Sequence, residues 1–264
     1  MDPDTILLAK TMRSDAIKNL IECLSGILQD CNFIFDVSGL KIFAMDETGA
    51  TLVSVVLHGD KFDCYTCTKP LTLGLNISCL HKLLKSIEKD DILSFIVEHD
   101  KEDILCIRLD NASKKATVTY KLKLLDLDQS TESIPTVDFA SIIKMPSSEF
   151  QRMCRNMSVL SSTLDIKSSG NNIILTCRGD FADCDIVIGG GENVTGITVE
   201  NVDATEIVEG KFLLKRLLAF SKASSLHSSM QIMMKNDFPL IVVYSVADLG
   251  KLHFCLAPIS DGLI

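Results

Sequence analysis

Cys64-Tyr-Thr-Cys67 has the spacing of half a zinc site. It lies in a run with strand character, where residues i and i+3 project to opposite faces, and neither a second pair nor a nearby histidine completes a ligand set. Asp126-Leu-Asp128 has the form of a metal-binding carboxylate pair, as used in nucleotidyl transfer or nuclease chemistry, but it opens a polar stretch and reads as solvated. Gly189-Gly190-Gly191 is followed by Glu-Asn-Val and not by Lys-Ser/Thr and a helix, so it reads as a turn and not as a phosphate loop. The histidines at 58, 81, 99, 227 and 253 make no ligand spacing, and no Gly-x-Ser-x-Gly elbow occurs. With Trp absent and three Tyr, stacking on single strands is not the expected binding mode. The expectation is a protein that is no enzyme and carries no metal or cofactor. Its rival is an enzyme built on Asp126 and Asp128, which needs further carboxylates to converge on them.

The charged residues are more informative. The chain carries a formal net charge of -9 over 264 residues. Four windows, 10–25, 78–89, 146–158 and 210–223, nevertheless hold twelve Lys or Arg against four acids, a net +8. The remaining fourteen bases and thirty-one acids leave -17. Several of these bases share an angular sector: Lys82 with Lys85, Arg152 with Arg155, and Lys211, Lys215 and Lys222 together. Any one such helix could be a solvated face opposite an apolar stripe. Four that agree on an acidic body point to contact with phosphates, which needs no base-reading side chains.

Those windows coincide with the segments that read as helices, each with apolar residues at three-to-four spacing: Ser14–Leu28, with Ser14 or Asp15 as N-cap, Ser78–Ile87, Ser147–Val159 and Lys211–Ser221. Their starts near 14, 78, 147 and 211 imply four copies of a helix-plus-strands unit in two similar halves. Between them, short β-branched runs alternate with turn signals such as Ser38-Gly39 and His58-Gly59-Asp60, which implies antiparallel sheets. The expected class is α+β, with domains over 1–122 and 141–264 and an extended polar connector over 123–140. A composition that is 47% hydrophobic supplies a core for each domain. No uncharged run reaches the roughly 18 residues of a membrane span, and the acidic start Met1-Asp2-Pro3-Asp4 lacks the layout of a signal peptide. An intracellular protein without membrane contact is expected, its ten scattered Cys acting as small buried hydrophobes.

Several segments together resemble the proliferating cell nuclear antigen family of DNA sliding clamps: Ala44-Met-Asp46, Leu73-Gly-Leu-Asn76, Lys121–Asp128, Ile134-Pro135, Lys144–Arg155, Phe238-Pro-Leu240, Ala247–Leu252 and Leu256-Ala-Pro258. The resemblance spans nearly the whole chain in order. It implies a homotrimeric ring with basic helices inside and sheets outside, serving DNA replication and repair as a processivity factor in the nucleus or at a viral replication site. Implied partners are double-stranded DNA, encircled without sequence specificity, a clamp loader, and polymerase, ligase and nuclease through short peptides. The implied DNA-facing bases are Lys18, Lys82, Lys85, Arg152, Arg155, Lys215 and Lys222. The implied peptide pocket draws on Met45, Leu52, Ile134, Pro239, Leu256, Ala257 and Pro258. Glu132 and Cys255 depart from the family pattern there, in place of a large apolar residue and an aromatic, so an incompletely filled subsite is expected at Cys255. The implied subunit seam pairs the strand of Ala116, Thr117, Val118, Thr119 and Tyr120 with that of Asp183, Cys184, Asp185, Ile186 and Val187. The family's modified central lysine falls near Gly170, with Lys167 three residues away. A subunit of a heterotrimeric checkpoint-type clamp is the alternative within the same fold.

Overall fold

The computed structural model describes residues 4–88, 90–128, 137–189, 196–201 and 205–259. Lys89, Glu132 and Ile134 lie outside the described residues, as do residues 129–136 of the central connector and the last five residues.

The described chain is a strand–helix–three-strand unit repeated four times. The first is β1 (Thr5–Thr11), α1 (Ser14–Leu24), β2 (Asp30–Asp36), β3 (Gly39–Met45) and β4 (Thr51–His58). After the short β5 (Cys64–Cys67) come β6 (Leu71–Asn76), α2 (Ile77–Leu84), β7 (Asp91–Glu98), β8 (Ile104–Asn111) and β9 (Ala116–Lys123). The third is β10 (Ser141–Pro146), α3 (Ser147–Ser158), β11 (Thr163–Ser169), β12 (Asn172–Arg178) and β13 (Asp183–Gly189). After β14 (Thr198–Asn201), the fourth is β15 (Ile207–Leu213), α4 (Leu214–Phe220), β16 (Ser229–Met234), β17 (Leu240–Val246) and β18 (Gly250–Leu256). The expected fourfold period is therefore present, with helix starts at 14, 77, 147 and 214.

The expected start of the last helix at Lys211 is corrected. Lys211 pairs with Asp165 inside β15, and Leu213 is still extended, so the chain turns helical only at Leu214. The expected cap of α1 is corrected too: Arg13 precedes the helix without a side-chain cap, while Ser14 and Asp15 lie in its first turn. In α2, by contrast, the Asn76 side chain accepts the amide of Cys79 at 2.8 Å and satisfies an otherwise unpaired N–H.

The described chain divides into two compact units. One comprises Met1–Glu47, Val53–Ser133 and Ser245–Leu252, the other Thr48–Leu52, Ile134–Tyr244 and His253–Ile264. The first contains the antiparallel sheet β5-β1-β7-β8-β9 and the strand run β6-β2-β3-β4. The second contains the sheet β13-β12-β11-β15 and the run β14-β10-β16-β17. In the first unit α1 packs against α2, burying Ile17, Leu20, Ile21 and Leu24 beside Leu80 and Leu84. In the second α3 packs against α4, burying Phe150, Met153 and Met157 beside Leu214, Leu217 and Phe220. Phe220 stacks on Phe254 at 4.5 Å, closing that core with a parallel aromatic pair.

Candidate DNA, subunit and partner surfaces

Each helix spends its apolar stripe on the core, so its charged residues are left on the outer face. Lys82, Lys85, Arg152, Arg155, Lys215 and Lys222 are exposed. Among the described residues Lys82, Lys85, Arg155, Lys215 and Lys222 make no ion pair and remain available to an anion. Two of the seven expected bases are already engaged. Lys18 is half-buried and donates from Nζ to the carbonyls of Lys85 and Ile87 at 3.3 and 3.0 Å, where it closes the C-terminal end of α2. Arg152 donates to Glu149 one helical turn back, which holds its guanidinium charged even more firmly.

The basic windows are wider than the helices. Within the helical spans stand Lys18, Lys82, Arg152, Arg155, Lys215 and Arg216 against Asp15, Glu22 and Glu149, a net +3. The rest of the excess sits in flanks: Lys10 in β1, Arg13 before α1, Lys85 after α2, Lys211 in β15 and Lys222 in the turn beyond α4. The cationic surface therefore belongs to the helix ends as much as to the helices.

Both strands of the expected seam are sheet edges. Among the described residues β9 pairs only with β8, and its residues 116–119 are exposed; β13 likewise pairs only with β12, with Asp183, Asp185 and Val187 exposed. Their charges are opposite. Residues 112–123 carry Lys114, Lys115, Lys121 and Lys123 and no acid. The β13 side carries Asp180, Asp183 and Asp185, with Arg178 as the one base; hydrogen bonds from Thr176 and Arg178 hold the Asp185 carboxyl below its usual range. Phe181, beside β13, is 75% exposed.

Of the expected pocket, Met45 is exposed in the first unit. The second unit holds Leu52, Pro239, Cys255, Leu256, Ala257 and Pro258. Leu256 is buried, Ala257 is exposed, and the Ala257 amide donates to Ala50 at 3.2 Å. Cys255 is buried in a cluster with Ile241 and Val243, against which Leu52, Phe139 and Met233 pack, and burial pushes its thiol up to about 11. Phe139 was not among the expected residues because it lies in a segment read as connector; its ring meets Phe238 edge-on at 6.3 Å. A cleft of about 720 Å³ in the same unit is lined by Lys211, Phe238, Leu240 and Pro258, among others, so of the expected residues that are described only Pro258 borders it.

The start of the connector is clipped to the first unit. The amide of Leu125 donates to Gly74 at 2.8 Å, that of Leu124 to Asp103 at 3.0 Å, and Asn32 donates to the carbonyl of Asp128 at 3.0 Å. Gly74 is required there, because a Cβ would stand 2.2 Å from the Leu125 carbonyl oxygen. Asp126 and Asp128 are exposed. In β5, Cys64 is exposed while Cys67 is buried and donates to the Lys69 carbonyl. Among the described residues no three His, Cys, Asp or Glu side chains converge to hold a metal.

Two family models match the chain end to end: the N-terminal domain of proliferating cell nuclear antigen over residues 6–132 and its C-terminal domain over 133–259. The chain belongs to the proliferating cell nuclear antigen family. Its α+β architecture of two domains with antiparallel sheets is that of the family. Among its relatives, a probable DNA polymerase sliding clamp of Paramecium bursaria Chlorella virus 1 is 33% identical, over 98% of this chain and 99% of its own length. The proliferating cell nuclear antigens of Chaetomium thermophilum and Dictyostelium discoideum are 32% and 29% identical, over 96% and 95% of this chain and 98% of each relative.

Proposed function

We propose that this chain is the subunit of a homotrimeric DNA sliding clamp that encircles duplex DNA and tethers a polymerase without catalysing a reaction itself. The observation that carries the reading is that one chain supplies both halves of a joint. A lysine-bearing edge strand, β9, ends the sheet of one unit, and an aspartate-bearing edge strand, β13, ends a sheet of the other. Unpaired strand edges invite a partner, and complementary edges on one chain favour head-to-tail assembly of identical copies. That complementarity also supports a homotrimer over a heterotrimer of the checkpoint type.

The exposed cations Lys82, Lys85, Arg155, Lys215 and Lys222 are the groups proposed to meet the DNA backbone, with Arg152 held by Glu149 and Lys18 serving mainly to join α2 to α1. Cations that contact phosphates without reading bases give loose, salt-sensitive attraction, so retention on DNA rests on enclosure. The apolar patch of Leu52, Phe139 and Met233 against the Ile241, Val243 and Cys255 cluster is the proposed seat for the apolar anchors of partner peptides from polymerase, ligase and nuclease, and a clamp loader is proposed to open the ring. The proposed setting is the nucleus or a viral replication site.

Native mass spectrometry tests the assembly. Three subunits of 29.0 kDa predict a species of 87 kDa. A monomer alone at micromolar concentration would overturn the reading.

A further inference from the structure

Cys177 and Cys184 stand directly opposite one another in the register of β12 and β13. Both belong to the inward face of the sheet. Cys177 lies in the row of Ile173 and Leu175 and is fully buried, while Cys184 lies in the half-covered row of Ile186 and Ile188. Both are free thiols, and among the described registers this is the one place where cysteine faces cysteine. Opposed residues of an antiparallel pair have Cα atoms about 4.5 or about 5.5 Å apart. A disulfide accepts separations of about 4.4–6.8 Å, so the bond can close by side-chain rotation without moving a strand out of register. β13 is also the outermost strand of its sheet and the acidic half of the proposed joint.

We propose that Cys177 and Cys184 are a peroxide-sensitive dithiol whose oxidation to a disulfide weakens the head-to-tail joint at β13. The effect on assembly rests on the ring reading above; the dithiol itself does not. Cys184 is the half-exposed member and meets the oxidant first. Its thiolate attacks one oxygen of hydrogen peroxide, the O–O bond breaks, and hydroxide leaves to become water, giving a sulfenic acid at Cys184. Cys177, buried and with its thiol pushed up by that burial, is the resolving partner. Its sulfur attacks the sulfenic sulfur, the S–O bond breaks, and a second water leaves with the Cys177 proton. Two thiols lose two electrons and one peroxide gains them. The new bond ties the edge strand to β12 at one point and changes the local twist of β13, which shifts the N–H and C=O groups that an incoming strand must meet. A copy already seated on β13 shields Cys184, so oxidation acts on subunits with an open joint.

The full chain at sub-micromolar concentration is treated with hydrogen peroxide, alkylated and digested. The expected product is a Cys177–Cys184 disulfide, two hydrogens lighter than the dithiol, which Cys184→Ser and Cys177→Ser each abolish. In native mass spectra the midpoint concentration for trimer formation should rise about tenfold or more on oxidation and return with dithiothreitol. Oxidation confined to other cysteines such as Cys64 and Cys79 would overturn the dithiol. A disulfide that leaves the midpoint unchanged would overturn its effect on assembly. A reduced chain that never forms trimers, yet makes the disulfide, would overturn the ring reading and leave the dithiol standing.

Discussion

Gly74→Ala probes how the connector is fixed at its start. Gly74 lies inside β6, paired with Asn32 on one side and touched by Leu125 on the other. A methyl group there would sit 2.2 Å from the Leu125 carbonyl oxygen, about 1 Å inside contact distance, and that oxygen belongs to the backbone and cannot swing aside. The clash is relieved most cheaply by lifting the connector, since β6 is held by a full ladder to β2 and residues 124–128 by three hydrogen bonds. Lifting breaks the 2.8 Å bond from the Leu125 amide to Gly74, a net loss of about 1 kcal/mol, and loosens Leu127. Alanine also stiffens the unfolded chain, which offsets about 0.4–1 kcal/mol of global stability but nothing of the local opening. The variant should therefore melt close to the parent while the connector opens more readily, by about 1–2 kcal/mol. Native-state hydrogen exchange reads this directly: the Leu125 amide should exchange roughly 5- to 30-fold faster, with β7 and β8 unchanged. Unaltered protection at Leu125 in a folded variant would refute the reasoning.

Three further outcomes follow from the same contacts. Lys82→Glu, Arg155→Glu and Lys215→Glu combined should lower the slope of log affinity for short duplex against log salt by about 3, at about 0.9 per phosphate, and leave the trimer mass intact; an unchanged slope would remove these residues from the DNA surface. The Asp36 carboxyl is held at about 2, chiefly by the hydrogen bonds it accepts from Lys41 and Ser38. A depressed folded-state value means stability that is present above about pH 4 and lost as pH falls through about 2. Lys41→Met should move the carboxyl's NMR titration up toward the ordinary range, and an unmoved titration would contradict the assignment. Cys255→Tyr adds a ring inside the buried Ile241, Val243 and Cys255 cluster, so the thermal midpoint should fall with a loss of about 1–3 kcal/mol; an equal or higher midpoint with tighter partner-peptide binding would show an open subsite instead.

Much of this architecture is legible in the residues themselves. The helices declare themselves because their apolar residues recur every three or four positions, and the spacing of helix starts exposes the fourfold repeat. The strands that lead into the helices are harder to read. β6 is interrupted by Gly74, β10 ends on Pro146, and β15 flows into α4 without a turn, so Lys211, Phe212 and Leu213 read as helix. Site residues divide the same way. Exposure of Lys82, Arg155 and Lys215 follows from the opposite apolar stripe, a local property. The engagement of Lys18 with carbonyls of Lys85 and Ile87, and the packing of Phe139 against the Ile241, Val243 and Cys255 cluster, join residues far apart in sequence, and no local pattern announces them.

Enclosure is read by comparing clamp loaded onto closed circular DNA with clamp on the same DNA after a single linearising cut. A ring held by topology should survive a high-salt wash on the circle and be lost from the linear form by sliding off its ends. Equal loss from both would show that the chain holds DNA by charge alone and would contradict the account.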